Sequence, residues 1–218
     1  MRSSVLVVAC ALAFPACSEK STPTAPIGPS ASFFVTSQTS TTGNLGGLAG
    51  ADATCQRLAA TAGQGSRTWR AYLSVERGVI GQATHAKDRI GTGPWYNVNL
   101  TLVANNVADL HARTGDAAVF LDERGQRING QWTGSPTPNQ HDILTGSNAD
   151  GTVATGLTCI DWTSDSASVT AQVGHADGLG PNQSTAGALA SWNAAHTAQN
   201  CADTAPRGGA GRFYCFAQ

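Results

Sequence analysis

The 218-residue chain reads as an α+β protein, loop-rich, with a mostly antiparallel sheet and two or so helices. Three observations predict it. Charged residues are only 12% while glycine supplies 25 positions, a composition that demands many turns. One amphipathic helical stretch opens the globular part, and most later apolar runs are short and alternate with period two. The length suits one domain of moderate size once an export segment is removed.

The N-terminal stretch "MRSSVLVVACALAFPAC" places Arg2 before an apolar run from Val5 to Phe14. That run is too short for a membrane span, which needs about 20 residues, and has the form of an export signal. Cleavage after Ala13 would leave five cysteines, one of them unpaired. Phe14-Pro15-Ala16-Cys17 instead resembles the lipobox of bacterial lipoproteins, which implies lipidation at Cys17 and leaves four cysteines to pair. The predicted organisation is a signal peptide over 1–16, a Ser/Thr/Pro-rich tether over 17–31, and a domain over 32–218. Lysine plus arginine number 13 against 14 aspartate plus glutamate, a balance that gives no reason to expect a nucleic-acid partner.

Within the domain, Leu48, Ala51, Cys55, Leu58, Ala59 and Ala62 fall on one helical face, with Gly63 as the stop and Asp52 early in the helix. "TWRAYLSV" then alternates Trp69, Ala71, Leu73 and Val75 against Arg70, Tyr72, Ser74 and Glu76, the pattern of a half-buried strand. "GPWYNVNLTLVANNVADLHA" fits a short strand at Leu100 and Leu102 followed by a helical turn carrying Val107 and Leu110; one helix through Val103, Val107 and Leu110 is the alternative. "AAVFLDERGQRI" reads as a strand entering a turn at Glu123 to Gly125. "VTAQVGH" alternates through Val169, Ala171 and Val173, and "GRFYCFA" through Phe213 and Cys215.

The spacings among Cys55, Cys159, Cys201 and Cys215 match no compact zinc knuckle, and disulfides are the default in an exported chain. Three pairings are possible, and spacing selects none of them. A bridge from Cys55 to Cys215 would close nearly the whole domain, worth about 3 to 5 kcal/mol in the chain-entropy picture.

"GNLGGLAGADATCQRLAATAG…TWRAYLS", with "GPWYN", "VANNVADLH", "TGSNADGT", "TCIDWTS", "SWNAAH" and "GRFYCF", resembles endostatin, the C-terminal domain of collagens XV and XVIII. The resemblance is closer still to the bacterial endostatin-like surface lipoproteins known from leptospires, and it runs from Thr42 to Gln218. It implies a C-type-lectin-like fold and nested disulfides, Cys55–Cys215 and Cys159–Cys201. It also implies a surface adhesion or ligand-binding role.

The family's ligand sets transfer poorly. Endostatin holds zinc through N-terminal histidines, and "SASFFVTSQTSTT" has none. Sugar-binding C-type lectins hold calcium with two short motifs; here Gly180-Pro181-Asn182 and Trp192-Asn193-Ala194 each lack an acidic ligand, whereas calcium favours several carboxylates. Neither calcium nor zinc, nor any other cofactor, is expected.

Among the five histidines, His175 and His196 with Asp177 form the best metal-ligand grouping, although such residues ordinarily hydrogen-bond loop carbonyls. Trp69 and Trp162 are expected in the core, on strand segments. Trp95 and Trp132, set among loop residues, are expected at a ligand surface, with Asn182, Trp192 and Asn193 joining them from the lectin-like motifs. No nucleophile elbow, zinc-protease pair or phosphate loop is present, so no catalytic residue is assigned. Asp142 beside His141, or Asp161 beside Trp162, would be the acid-base groups of an enzyme.

The function expected is that of an exported, lipid-anchored binding module for an extracellular protein or glycan. It would sit at the bacterial outer membrane or cell surface, or be secreted if Cys17 is not acylated. The alternatives are an envelope hydrolase or metal-dependent enzyme, and a structural envelope protein.

Overall fold

The computed structural model describes residues 30–78 and 81–218. The expected signal segment, Cys17 and the tether as far as residue 29 lie outside the described residues. No helix among those described is long and apolar enough to cross a membrane.

The elements run β1 (Phe33–Val35), α1 (Gly47–Thr61), β2 (Trp69–Ala71), β3 (Trp95–Tyr96), β4 (Leu102–Ala104), α2 (Val107–Ala112), β5 (Asp142–Leu144), a single turn α3 (Cys159–Trp162), β6 (Gln172–His175), β7 (His196–Thr197) and β8 (Gly209–Ala217). The main sheet has the order β1-β8-β5-β6-β7, with β2 also pairing β8, while β3 and β4 form a separate ribbon. Every pairing is antiparallel except β5 with β8, which is parallel. The result is an α+β protein on a mostly antiparallel sheet.

Strand β8 organises the core because its alternation serves two buried faces at once. Phe213, Cys215 and Ala217 pack with Ala51, Cys55, Leu58 and Ala59 of α1 and with Trp69 and Trp162. Tyr214 and Phe216 turn the other way, into an aromatic cluster with Phe33, Tyr72, Trp95, Phe120 and Trp192.

Helix α1 has few large side chains, and its buried face is mainly Ala51, Cys55, Leu58 and Ala59. Small residues let it lie close to the sheet but remove little apolar area from water. The Cys55–Cys215 disulfide makes that contact covalent at the centre of the face, with Cα atoms 5.5 Å apart. A second disulfide joins Cys159 to Cys201, the nested arrangement that the resemblance implies.

Several local expectations are corrected. Asp52 is not a helix-end charge: it lies beyond the first turn, where its carboxylate accepts hydrogen bonds from Arg89 at 2.7 and 2.9 Å, Arg70 at 2.8 Å and the Ala71 N–H at 2.9 Å. "TWRAYLSV" is a strand only over Trp69–Ala71, and Tyr72 and Ser74 are buried because both faces are covered. Leu100 sits in a turn with φ 61°, so the strand there begins at Leu102. The "AAVFLDERGQRI" stretch forms no strand, only two isolated bridges, Leu121 with Arg127 and Asp122 with Val35; the Asp122 carboxylate caps the turn that follows by accepting the N–H groups of Arg124 and Gln126. Trp162 is in the core, but on the turn α3 rather than on a strand.

Turn α3 has an unusual backbone. Cys159, Ile160, Asp161 and Trp162 all have positive φ, between 49° and 66°, so the turn is left-handed. Such a conformation costs L-residues about 1–2 kcal/mol each. The surroundings hold it in place: Asp161 accepts the N–H groups of Glu76 at 2.6 Å and Arg77 at 3.1 Å, and Trp162 Nε1 donates to the Ser74 carbonyl at 2.9 Å. The Cys159–Cys201 bridge fixes the first residue.

Candidate metal centre

Three adjacent strands bring one set of side chains together. In the β5–β6 pairing Asp142 lies directly opposite His175, and in the β6–β7 pairing His196 lies opposite Val173. Val173 and His175 are two apart, so their side chains share a face of the sheet, and His196 follows them there. His141 enters from the residue before β5. The four side chains converge at the end of the sheet where Asp142 pairs with Gly209, the first residue of β8.

The polar atoms meet at short range. Asp142 Oδ1 lies 3.2 Å from His141 Nε2 and 3.4 Å from His175 Nε2, and Asp142 Oδ2 lies 3.6 Å from His196 Nε2. His175 Nε2 and His196 Nε2 are 2.9 Å apart. Ligand atoms of His141, Asp142 and His175 all fall within 4.8 Å of one another. Asp142 is 1% exposed, and neither of its carboxylate oxygens has a hydrogen-bond partner.

The outer nitrogens of the three rings fix their tautomers. His141 Nδ1 faces Asp177 Oδ1 at 2.7 Å, His175 Nδ1 faces the Leu189 carbonyl at 2.8 Å, and His196 Nδ1 faces the Thr197 carbonyl at 3.0 Å. Each of those partners accepts, so each Nδ1 carries the proton. In the neutral rings every Nε2 then presents a lone pair inward. Three nitrogen lone pairs and two carboxylate oxygens face one another in a buried space.

Burial pushes the Asp142 carboxyl up to about 6, against the favourable field of His196 and His141. Burial also pushes His175 down to about 4, and the neighbouring His141 acts in the same direction. At neutral pH the cluster therefore holds an ionised Asp142 beside an uncharged His175. Burial works to raise Asp177 too, but hydrogen bonds from His141 and from the Gln131 and Leu179 N–H groups hold it below the usual carboxylate value.

The structure thus unites His175 and His196 with two residues that sequence reasoning took only as an acid-base pair, His141 and Asp142. Asp177, grouped with the histidines as a ligand, instead orients His141 from behind. The sequence signal that was available is the adjacent His-Asp pair; what it lacks is the strand register that sets His175 and His196 against it.

The expected ligand-surface residues divide. Trp132 is half-buried in a loop, its Nε1 donating to the Ile128 carbonyl and its ring covered by Arg127 at 5.2 Å. Asn182 is exposed, with φ 55°, and its neighbour Gln183 hydrogen-bonds Thr133, so these two loops meet. Trp95, Trp192 and Asn193 are not on a surface. Trp95 is 1% exposed, packed edge-on against Phe216, because its loop folds back as β3. Trp192 lies inside the aromatic cluster between Tyr72 and Tyr214. Asn193 spends its amide on Tyr72 Oη and the Asn148 carbonyl, which leaves it nothing to offer a sugar.

An exposed residue that sequence reasoning passed over is Ile160, 60% exposed at the apex of left-handed α3. It borders a shallow pocket of about 250 Å³ with Glu76, Arg77, Thr158 and Asp161. A β-branched residue with positive φ carries no sequence signature.

The molecule is therefore a disulfide-tied α+β protein with a buried histidine–aspartate centre. The chain belongs to the family described as "Protein of unknown function (DUF1554)", whose model matches residues 38–179. That match includes His141, Asp142, His175 and Asp177, while His196, Cys201 and Cys215 lie beyond it. No curated protein matches the chain.

Proposed function

We propose that the chain is an exported surface binding module of the endostatin-like, C-type-lectin-like kind, anchored by lipid at Cys17 and directed at an extracellular protein or glycan. Two buried disulfides support residence in an oxidising compartment. The observation that carries a recognition role is Ile160, a large apolar side chain held toward solvent on a left-handed turn that several independent contacts fix in place. Backbone strain of this kind persists only where the surroundings over-determine it, and it concentrates at binding sites. An apolar side chain pre-ordered beside Arg77 and Glu76 suits a protein ligand better than a free sugar.

The test is binding of the purified protein to arrayed matrix glycoproteins and glycans. The expected result is saturable binding that is lost on reduction and weakened at least about tenfold, or 1.4 kcal/mol, by Ile160→Ser. Binding unchanged in Ile160→Ser, or none on any surface, overturns the reading.

A further inference from the structure

We propose that His141, Asp142, His175 and His196 bind one zinc ion through three imidazole Nε2 atoms and one carboxylate oxygen, with Asp177 as the positioning residue for His141. This inference is independent of the surface role argued above.

The ligand geometry supports it. Zinc bound tetrahedrally at about 2.0–2.1 Å places its ligand atoms roughly 3.3 Å apart. The four close approaches in the cluster are 2.9, 3.2, 3.4 and 3.6 Å. Each imidazole also has the outer contact typical of metal-bound histidine, its Nδ1–H donated to a carboxylate or a backbone carbonyl.

Electrostatics disfavour the obvious substitute, protons in place of the ion. Without a cation, both oxygens of Asp142 have no donor among the described residues, and with the proton on each Nδ1 the facing His175 and His196 Nε2 atoms, 2.9 Å apart, have none to share. A proton on the Asp142 carboxyl would serve one ring lone pair; filling the other positions with protons would make imidazolium ions, and the His141 and His175 rings are stacked nearly parallel with centroids 4.3 Å apart. Two like charges that close in a buried site repel strongly. One divalent ion neutralises the carboxylate and uses every inward lone pair without adding a proton.

The donor set selects the ion. Three imidazoles and one carboxylate suit zinc, and they offer too few oxygens for calcium. Four protein ligands close a tetrahedral shell, which marks a structural site rather than a catalytic one. His196, with its side chain 29% exposed, is the open edge through which the ion enters. The bound ion would crosslink β5, β6 and β7. Through Asp177, which accepts the Gln131 N–H at 2.6 Å, and through the Leu189 carbonyl on His175, it would also brace the loops carrying Trp132 and Asn182.

The experiment uses the purified full chain with both disulfides intact, stripped with EDTA, dialysed and titrated with Zn²⁺ alone. One zinc per chain by elemental analysis is expected, with a higher melting temperature and, with Co²⁺ in its place, the intense visible absorption of four-coordinate cobalt. His196→Ala, at the exposed edge, should lose the zinc-induced shift, read against its own melting temperature in EDTA, and bind zinc at least about tenfold more weakly. Asp177→Asn should lower affinity by about 10- to 100-fold. His85→Ala, outside the cluster, should change neither. A stripped wild type that takes up no zinc, or a His196→Ala protein that binds it as tightly as the wild type, overturns the proposal.

Discussion

His111, on α2, donates Nδ1–H to the Val107 carbonyl at 2.7 Å, so its Nε2 must accept from the Tyr72 hydroxyl, 2.8 Å away. Burial holds this imidazole below its ordinary value, which favours the neutral ring. The sign follows by linkage. The unfolded chain takes up a proton near pH 6.5 while the folded ring resists it, so stability from this group is present above that pH and is lost as pH falls toward the folded value. His111→Gln keeps an acceptor near Tyr72 without the titration. Denaturant unfolding in EDTA should give a shallower loss of stability between about pH 7 and pH 5 in the variant than in the wild type. Every other group is common to the two proteins and cancels in the difference; an identical slope would rule out this role. Legibility at this scale was uneven. His175 and His196 stood out by residue type, whereas the buried fates of Trp95, Trp192 and Asn193 did not, because glycine-rich surroundings look alike whether a loop stays outside or folds inward.

Strand β6 illustrates what an element can and cannot announce. The alternation of "VTAQVGH" was readable because Ala171 and Val173 face one core, and the same holds for "GRFYCFA" in β8. Strand β5 was not readable. It spans three residues, is buried throughout, and lies between a parallel and an antiparallel neighbour, so no polar alternation marks it. Turn α3 was hidden for another reason: its handedness comes from contacts with residues 74–77 and 201, far away in sequence. Within β6, Gly174 is fixed by proximity. A Cβ there would lie 1.9 Å from the Trp192 carbonyl oxygen and 2.3 Å from the Asn193 nitrogen, both backbone atoms. Gly174→Ala should therefore cost about 3 kcal/mol or more in urea unfolding, because β6 and the 192–193 backbone must separate. A loss under about 1 kcal/mol would mean that these segments part easily.

Across the whole molecule, the two disulfides divide the work unequally. Cys55–Cys215 spans 160 residues and Cys159–Cys201 spans 42. The chain-entropy model assigns them about 5 and about 4 kcal/mol respectively, so both double-serine variants should be strongly destabilised. Paired melting curves should show the larger loss for Cys55→Ser with Cys215→Ser, which also frees α1 from β8. Equal melting temperatures for that variant and the wild type would show that packing alone seats α1. The overall class was legible, since the four cysteines that pair, the glycine content and the short alternating runs all report global properties. The centre was legible only in part: it forms where three strands align, and register between distant segments leaves no mark in a single sequence.

Strand β8 also sets a direction on the molecule. Phe33 pairs with Phe216 near its finishing end, so residues 30 and 218 emerge together, whereas Asp142 pairs with Gly209 at its start. Seven steps of about 3.3 Å, from Gly209 to Phe216, put these two poles roughly 23 Å apart. Anything fastened ahead of residue 30 would moor the protein by one pole and leave the histidine-bearing pole facing away, within reach of ions from the medium.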